Sequence, residues 1–183
     1  MEFVPLSDTT LRFLALDDPC LKRVFRGVVP SDRLPRRPSR TTRAAYIVNT
    51  DPDGEPGRHW LGLWTENDVC EIFDSYGLPL STYQAPALME WLDRWPHWMR
   101  SERTLQALNS AACGHYALTF LKGRVRGYSM LQFVQSFSPV DLVGNDHQIG
   151  QRVQQWIVNE LVDDDDGRQS NVTREQALKK RSF

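Results

Sequence analysis

Three short apolar runs between residues 44 and 73, each followed by a segment built to turn, constrain this chain more than any other feature. Ala44 to Asn49 contains Tyr46, Ile47 and Val48, which favour extended backbone. Asp51-Pro-Asp-Gly-Glu-Pro-Gly57 then breaks the strand, and His59 to Trp64 resumes one. Asn67-Asp68 makes a second tight turn before Val69 to Phe73. Strands joined so closely pair as an antiparallel meander.

Beyond Phe73 the apolar period becomes helical. Ala85 to Trp95 predicts a helix stopped by Pro96, and a short strand is expected near Thr104–Leu105. Cys113 to Lys122 predicts a helix that buries Ala117, Leu118, Phe120 and Leu121. Tyr128 to Phe137 predicts another, ended by Pro139, and Ile149, Val153, Trp156, Ile157 and Leu161 mark the last. Upstream, Leu11, Phe13, Leu14 and Leu16 follow the caps Ser7 or Asp8 and predict a first helix ending before Pro19. Residues 27–43, rich in Pro and Arg, read as irregular. Strands together, then helices, describe an α+β fold.

A chain of 183 residues supports one domain with a real core. The apolar pattern stops after Leu161, so 1–161 is expected to be that domain and 162–183 an acidic linker with a basic tail. No apolar run approaches the roughly 18 residues of a membrane span. Glu2, Asp8 and Asp17 stand where a signal peptide would be basic and then apolar, so secretion is not expected. Three cysteines (Cys20, Cys70, Cys113) without CxxC spacing argue against a disulfide framework and a zinc site, and fit a reducing compartment. Asp51-Pro-Asp53-Gly54-Glu55 lacks the glycine placement and final Glu of a calcium loop. Nothing in the Asp163–Asp166 run fixes a metal geometry, so no metal is expected.

A net charge of −1 hides an asymmetry. Lys22 to Arg43 holds eight basic residues (Lys22, Arg23, Arg26, Arg33, Arg36, Arg37, Arg40, Arg43) against one acid, Asp32. The cluster of Arg33, Arg36, Arg37, Arg40 and Arg43 could hold phosphates of a nucleic acid. Its alternative is solvated loop charge, answered by the Asp run of the same chain.

Cys113 carries the chemistry. It opens its helix after Ser110, Ala111 and Ala112 and before Gly114, where backbone N–H groups and the helix dipole lower a thiol pKa. His59, at a strand start, is the candidate base; Trp60 beside it could stack on the imidazolium, provided the strand start is frayed. Asp74 ends the third strand, which a meander lays beside the start of the strand carrying His59, so its carboxylate could accept the imidazole N–H. Gln106 can donate from its amide and, with the Cys113 N–H, would form an oxyanion hole. The bland alternatives are a core cysteine, a turn-capping Asp and a loop Gln.

With these residues in place the chain resembles adenain, the adenovirus-type maturation cysteine protease, and its relatives in adenovirus-like elements. The similarity runs from about Phe25 to Phe120: Phe25-Arg-Gly-Val-Val-Pro-Ser-Asp-Arg-Leu34, Tyr46-Ile-Val-Asn-Thr50, His59-Trp60, Phe73-Asp74-Ser75-Tyr76-Gly77 and Gln106-x-x-Asn109-Ser-Ala-Ala-Cys113-Gly114. His-Trp and Asp-Ser are shared with the SUMO-deconjugating proteases, which makes a ubiquitin-like deconjugase the alternative. The resemblance implies that fold, a central mixed sheet with the meander flanked by helices. It implies Cys113 as nucleophile, His59 as base, Asp74 as orienter and Gln106 as oxyanion donor. Adenain has Glu rather than Asp at the orienting position, with two more residues between it and the histidine.

The same resemblance implies capsid and core precursor proteins as substrates, cut at small glycine-containing sites during virion maturation. A monomer in the virion and in the host nucleus or cytoplasm would follow. Such proteases are stimulated by DNA, here double-stranded DNA on the arginine cluster, and by a short basic peptide that can be disulfide-linked. Gln176-Ala-Leu178-Lys179-Lys180-Arg181-Ser182-Phe183 is similar to that peptide, with Ser182 in place of its cysteine. The protease side lacks a partner cysteine between Cys70 and Cys113 as well. Residues 174–183 are therefore expected to activate the protease in cis, tethering supplying an effective concentration near the millimolar range. The competing reading is a disordered basic tail.

Overall fold

The computed structural model describes residues 4–35 and 42–158. Its first compact unit, Met1–Gly150, is built on a five-stranded sheet in the order β1-β2-β3-β4-β5. The strands are β1 (Phe25–Pro30), β2 (Ala44–Asn49), β3 (Trp60–Glu66), β4 (Val69–Phe73) and β5 (His97–Arg100). β2, β3 and β4 form the expected antiparallel meander, with Ile47 opposite Gly62 and Gly62 opposite Phe73. Its β3–β4 turn is Asn67-Asp68, both with positive φ, as a two-residue hairpin of right-handed twist requires.

The outer strands depart from expectation. β1 pairs in parallel with β2 inside the segment read as irregular; Phe25-Arg-Gly-Val-Val-Pro carries the strand and the Arg/Pro composition only begins after it. β5, just past Pro96, pairs in parallel with β4, so the sheet is mixed. No strand forms at Thr104–Leu105. Instead the N–H groups of Leu105 and Gln106 both donate to Ser75 O, at 2.8 and 3.1 Å. The helix expected at 85–95 is shorter, α2 over Pro86–Leu92, and a 3-10 turn over Leu80–Tyr83 precedes it.

The strand period of two divides β3 between two faces. Leu61 and Leu63 join Val48, Cys70 and Ile72 on the face covered by Leu88, Trp91 and Leu92 of α2. On the other face α3 (Cys113–Val125) packs along β3, buried from Gly114 to Lys122. Gly62 is small of necessity, since a Cβ there would come 2.9 Å from Phe120 Cδ1 and 3.2 Å from Ala117 O. Phe73 and Phe120 stack with centroids 4.9 Å apart, and each such buried aromatic contributes about 1.5–3 kcal/mol. Beside α3 lie α1 (Asp8–Asp17), capped by Ser7, and α4 (Met130–Gln135), opened by a Ser129–Gln132 capping box. Residues 142–150 are helical and end this unit. In the second unit, Gln151–Phe183, the described residues 151–158 are helical. Among the described residues no helix is long and apolar enough to cross a membrane.

Candidate active site

His59 sits one residue before β3, where its carbonyl accepts from Thr50 N and continues the meander's ladder (3.0 Å). Asp74 sits one residue after β4. Hydrogen bonding to Ser101 Oγ on both its N–H and its C=O, each at 2.8 Å, fixes its backbone. The meander therefore brings together two residues fifteen apart, and His59 Nε2 meets Asp74 Oδ1 at 2.8 Å. Both are buried, at 5% and 0% exposure, so this pair is shielded from solvent in a way surface ion pairs are not.

Four donors saturate the Asp74 carboxylate. Oδ1 accepts from His59 and from Tyr76 N–H (2.9 Å); Oδ2 accepts from Tyr83 O–H (2.7 Å) and Leu78 N–H (3.0 Å). Burial pushes this carboxyl up, but the hydrogen bonds and charge of His59, with the Tyr83 and Tyr76 donors, outweigh it and hold the group below the usual carboxylate range.

With Nε2 committed to Asp74, the other ring nitrogen is left for Cys113, the first residue of α3, whose thiol acts on the ring's proton affinity. Burial favours the neutral ring. The bonds and charges of Asp74 and Cys113 win, raising the His59 pKa to about 9. Burial likewise favours the neutral thiol, and it too is overridden: hydrogen bonding to His59, its charge, and the backbone N–H groups of Trp60 and Gly114 lower the Cys113 pKa. The two shifts have the same sense, each favouring the charged form, a thiolate beside an imidazolium.

Trp60 is placed differently from expectation. It serves Cys113 through its backbone N–H, while its indole lies against the start of α3, 3.3 Å from where a Gly114 Cβ would stand. The rings stacked on the imidazole are Tyr76 (5.0 Å, 27°) and Tyr83 (5.1 Å, 11°). The strand period already sends residue 60 to the face opposite residue 59. Because the β3 start is paired rather than frayed, the indole cannot swing back. Neither tyrosine was legible as a site residue, since nothing in their spacing after Asp74 is periodic.

Gln106 is fully buried before the loop that leads to Cys113. Its Oε1 accepts from Ser75 Oγ (2.6 Å), and its Nε2 donates to Ser110 O (2.6 Å) and to Tyr76 Oη (3.2 Å). Asp146, from the helical segment 142–150, anchors the same loop by accepting from Ala107 N–H (3.2 Å) and Tyr116 O–H (3.0 Å). Two open clefts adjoin these residues. One, of about 790 Å³, is lined by Leu108, Ser110, Ala111, Val140 and Val143; the other, of about 540 Å³, reaches Trp60 past Val28 and Asn49.

Two basic residues of the expected nucleic-acid patch have carboxylate partners. Arg33 meets Asp53 at 2.7 Å and Arg43 meets Glu66 at 2.6 Å. Arg36, Arg37 and Arg40 lie outside the described residues, as do Leu178, Lys179, Lys180, Arg181 and Phe183 of the expected activator. Among the described residues no cluster of three or more His, Cys, Asp or Glu could hold a metal ion.

No family model matches the sequence, and no curated protein matches it. Among solved structures the chain is similar to the selenomethionyl ASFV pS273R protease, at 18% identity and a TM-score of 0.38 over 62% of this chain and 44% of that one. The chain thus spans less than half the length of that protein.

Proposed function

We propose that this protein is a cysteine endopeptidase of the adenain type, with Cys113 as nucleophile, His59 as base and then acid, and Asp74 as the group that orients the imidazole. One observation carries the reading: a buried carboxylate hydrogen-bonded to a buried imidazole at 2.8 Å, with Cys113 opening α3 beside that ring and shifting its proton affinity. A core cysteine needs none of those partners. The thiolate attacks a peptide carbonyl and forms the S–C bond as the carbonyl π pair moves onto oxygen. Gln106 and the Cys113 N–H hold that oxyanion. Collapse of the tetrahedral species expels the amine, which takes the proton from His59. Water, deprotonated by the same imidazole, then hydrolyses the thioester.

The finer parts of the reading rest on the sequence resemblance. Substrates are capsid and core precursors cut at small glycine-containing sites during virion maturation, and residues 174–183 activate in cis. Double-stranded DNA is an accessory cofactor. The neutralisation of Arg33 and Arg43 by Asp53 and Glu66 leaves Arg36, Arg37 and Arg40 to supply phosphate contacts, so affinity should be low and its salt dependence shallower than five contacts would give.

The test is a panel of glycine-containing precursor peptides, assayed with full-length protein and with 174–183 deleted, each with and without DNA. Turnover that falls on deletion and rises with DNA at low salt is expected. Turnover indifferent to both removes the activation scheme. Cleavage of a SUMO-type conjugate with no cleavage of the peptides assigns the chain to deconjugation instead.

A further inference from the structure

Among the described residues Tyr76 is the one side chain with contacts to both halves of this machinery. Its ring stacks on His59 at 5.0 Å, and its hydroxyl oxygen accepts from Gln106 Nε2 at 3.2 Å. We propose that Tyr76 is a positioning residue that serves base and oxyanion donor together: its ring supports the imidazolium, and its hydroxyl keeps one Gln106 N–H aimed until an oxyanion takes it over. This rests on the peptidase reading above and adds to it a residue whose two contributions are separable.

The geometry of Gln106 leads to this assignment. All of its hydrogen-bonding groups are engaged and it is fully buried, so an N–H can reach an oxyanion only by leaving a present partner. The bond to Ser110 O is short, at 2.6 Å, and with the Ser75 bond it fixes the amide plane. The bond to Tyr76 Oη is longer, and its acceptor is a neutral hydroxyl. A developing oxyanion is the stronger acceptor, because hydrogen bonds to charged oxygen are roughly twice as strong as neutral ones. The Tyr76 bond is therefore the one exchanged on attack, and the gain appears only as charge develops, as transition-state stabilisation requires.

The hydroxyl is itself lightly held. Its proton faces Leu108 O and Ser110 O, both at 3.4 Å, so it can turn as the amide proton leaves. Without the hydroxyl, a buried N–H would have no acceptor before attack. The amide would then tilt or take in water, and the donor would be off aim when needed. The ring acts separately. Together with Tyr83 it stacks on an imidazole whose charged form the thiolate requires.

Two probes separate these contributions in the full-length protein. An acyl-Gly-glycinal aldehyde adds Cys113 sulfur to its carbonyl carbon. The π pair goes to oxygen and the thiol proton stays on His59, so the adduct needs the oxyanion donors. Iodoacetamide alkylates the thiolate with loss of iodide and forms no oxyanion, so its pH–rate profile reads the ion pair alone. Tyr76→Phe keeps the ring. It should weaken aldehyde binding by about threefold to tenfold, the worth of one buried hydrogen bond, with kcat on an acyl-Gly-Gly-aminocoumarin peptide falling in parallel, KM unmoved and the iodoacetamide profile unchanged. Tyr76→Leu should in addition move the alkylation profile to higher pH. Wild-type aldehyde affinity in Tyr76→Phe, or identical alkylation profiles in Tyr76→Leu and the wild type, overturns the proposal while leaving the peptidase reading intact. Failure of the wild type itself to bind the aldehyde or to alkylate selectively at Cys113 overturns both.

Discussion

β4 carries a buried thiol at one end and runs into a buried carboxylate at the other, and the two ends treat burial in opposite ways. Cys70 lies among Leu63, Ile72, Leu88 and Trp91, where burial, aided by the charge of Glu71, pushes its thiol far up. Beyond Phe73, Asp74 reaches His59 and His59 reaches Cys113, and the same desolvation is overturned by hydrogen bonds and paired charge. The histidines repeat the contrast. His115, two residues past Cys113, is held near 4 by burial, while His59 is raised to about 9. Burial therefore makes a group inert or reactive according to the donors and charges buried with it.

The sharpest way to break this comparison is to remove the thiol that burial leaves reactive. Cys113→Ala should abolish peptide cleavage, a loss on the order of 10⁴-fold or more, with melting temperature nearly unchanged. Asp74→Asn comes next. It would still reach His59 but could not hold its positive charge, so kcat should fall by about 10²- to 10⁴-fold with a smaller change in KM, measured by steady-state kinetics.

Iodoacetamide labelling read by peptide mass mapping sharpens the contrast. In native protein at neutral pH, Cys113 should react at least about 10²-fold faster than Cys70, and unfolding should erase the difference. The pH dependence follows from the shifts. The labelling rate should decline as acid protonates Cys113 below its ordinary value, and cleavage should decline as base deprotonates His59 through about 9. Stability has a matching sign: the His59 contribution, from a raised pKa, is complete below 6.5 and lost as pH rises through about 9. The smallest effect belongs to Cys70→Ser, which places a hydroxyl in the apolar cluster. It should cost about 1–3 kcal/mol in chemical denaturation and leave kcat unaltered.

Legibility in the sequence followed the range of the forces involved. The meander and α3 were readable because apolar period, turn residues and Ser or Asn-Asp signals act within a few residues. β1 and β5 were not, because each is an edge strand defined by parallel pairing with a distant segment, Ala44–Asn49 for one and Val69–Phe73 for the other. His59, Asp74, Gln106 and Cys113 were singled out as candidates from residue type, order and resemblance. Tyr76 and Tyr83 were missed because their part depends on which way two rings fold back after the Asp74 turn. Trp60 was expected on the imidazole and lies on α3, a choice made by the paired start of β3.

What the chain alone determined is a set of local commitments: a hairpin turn at Asn67-Asp68, a thiol at the first residue of a helix, an imidazole and a carboxylate at adjoining strand ends. Only the tertiary structure decided their ionisation. Proton affinity depends on how much water is excluded and which donors are enclosed with the group, and those neighbours arrive from Ser101, Tyr83 and Gly114, far apart in sequence.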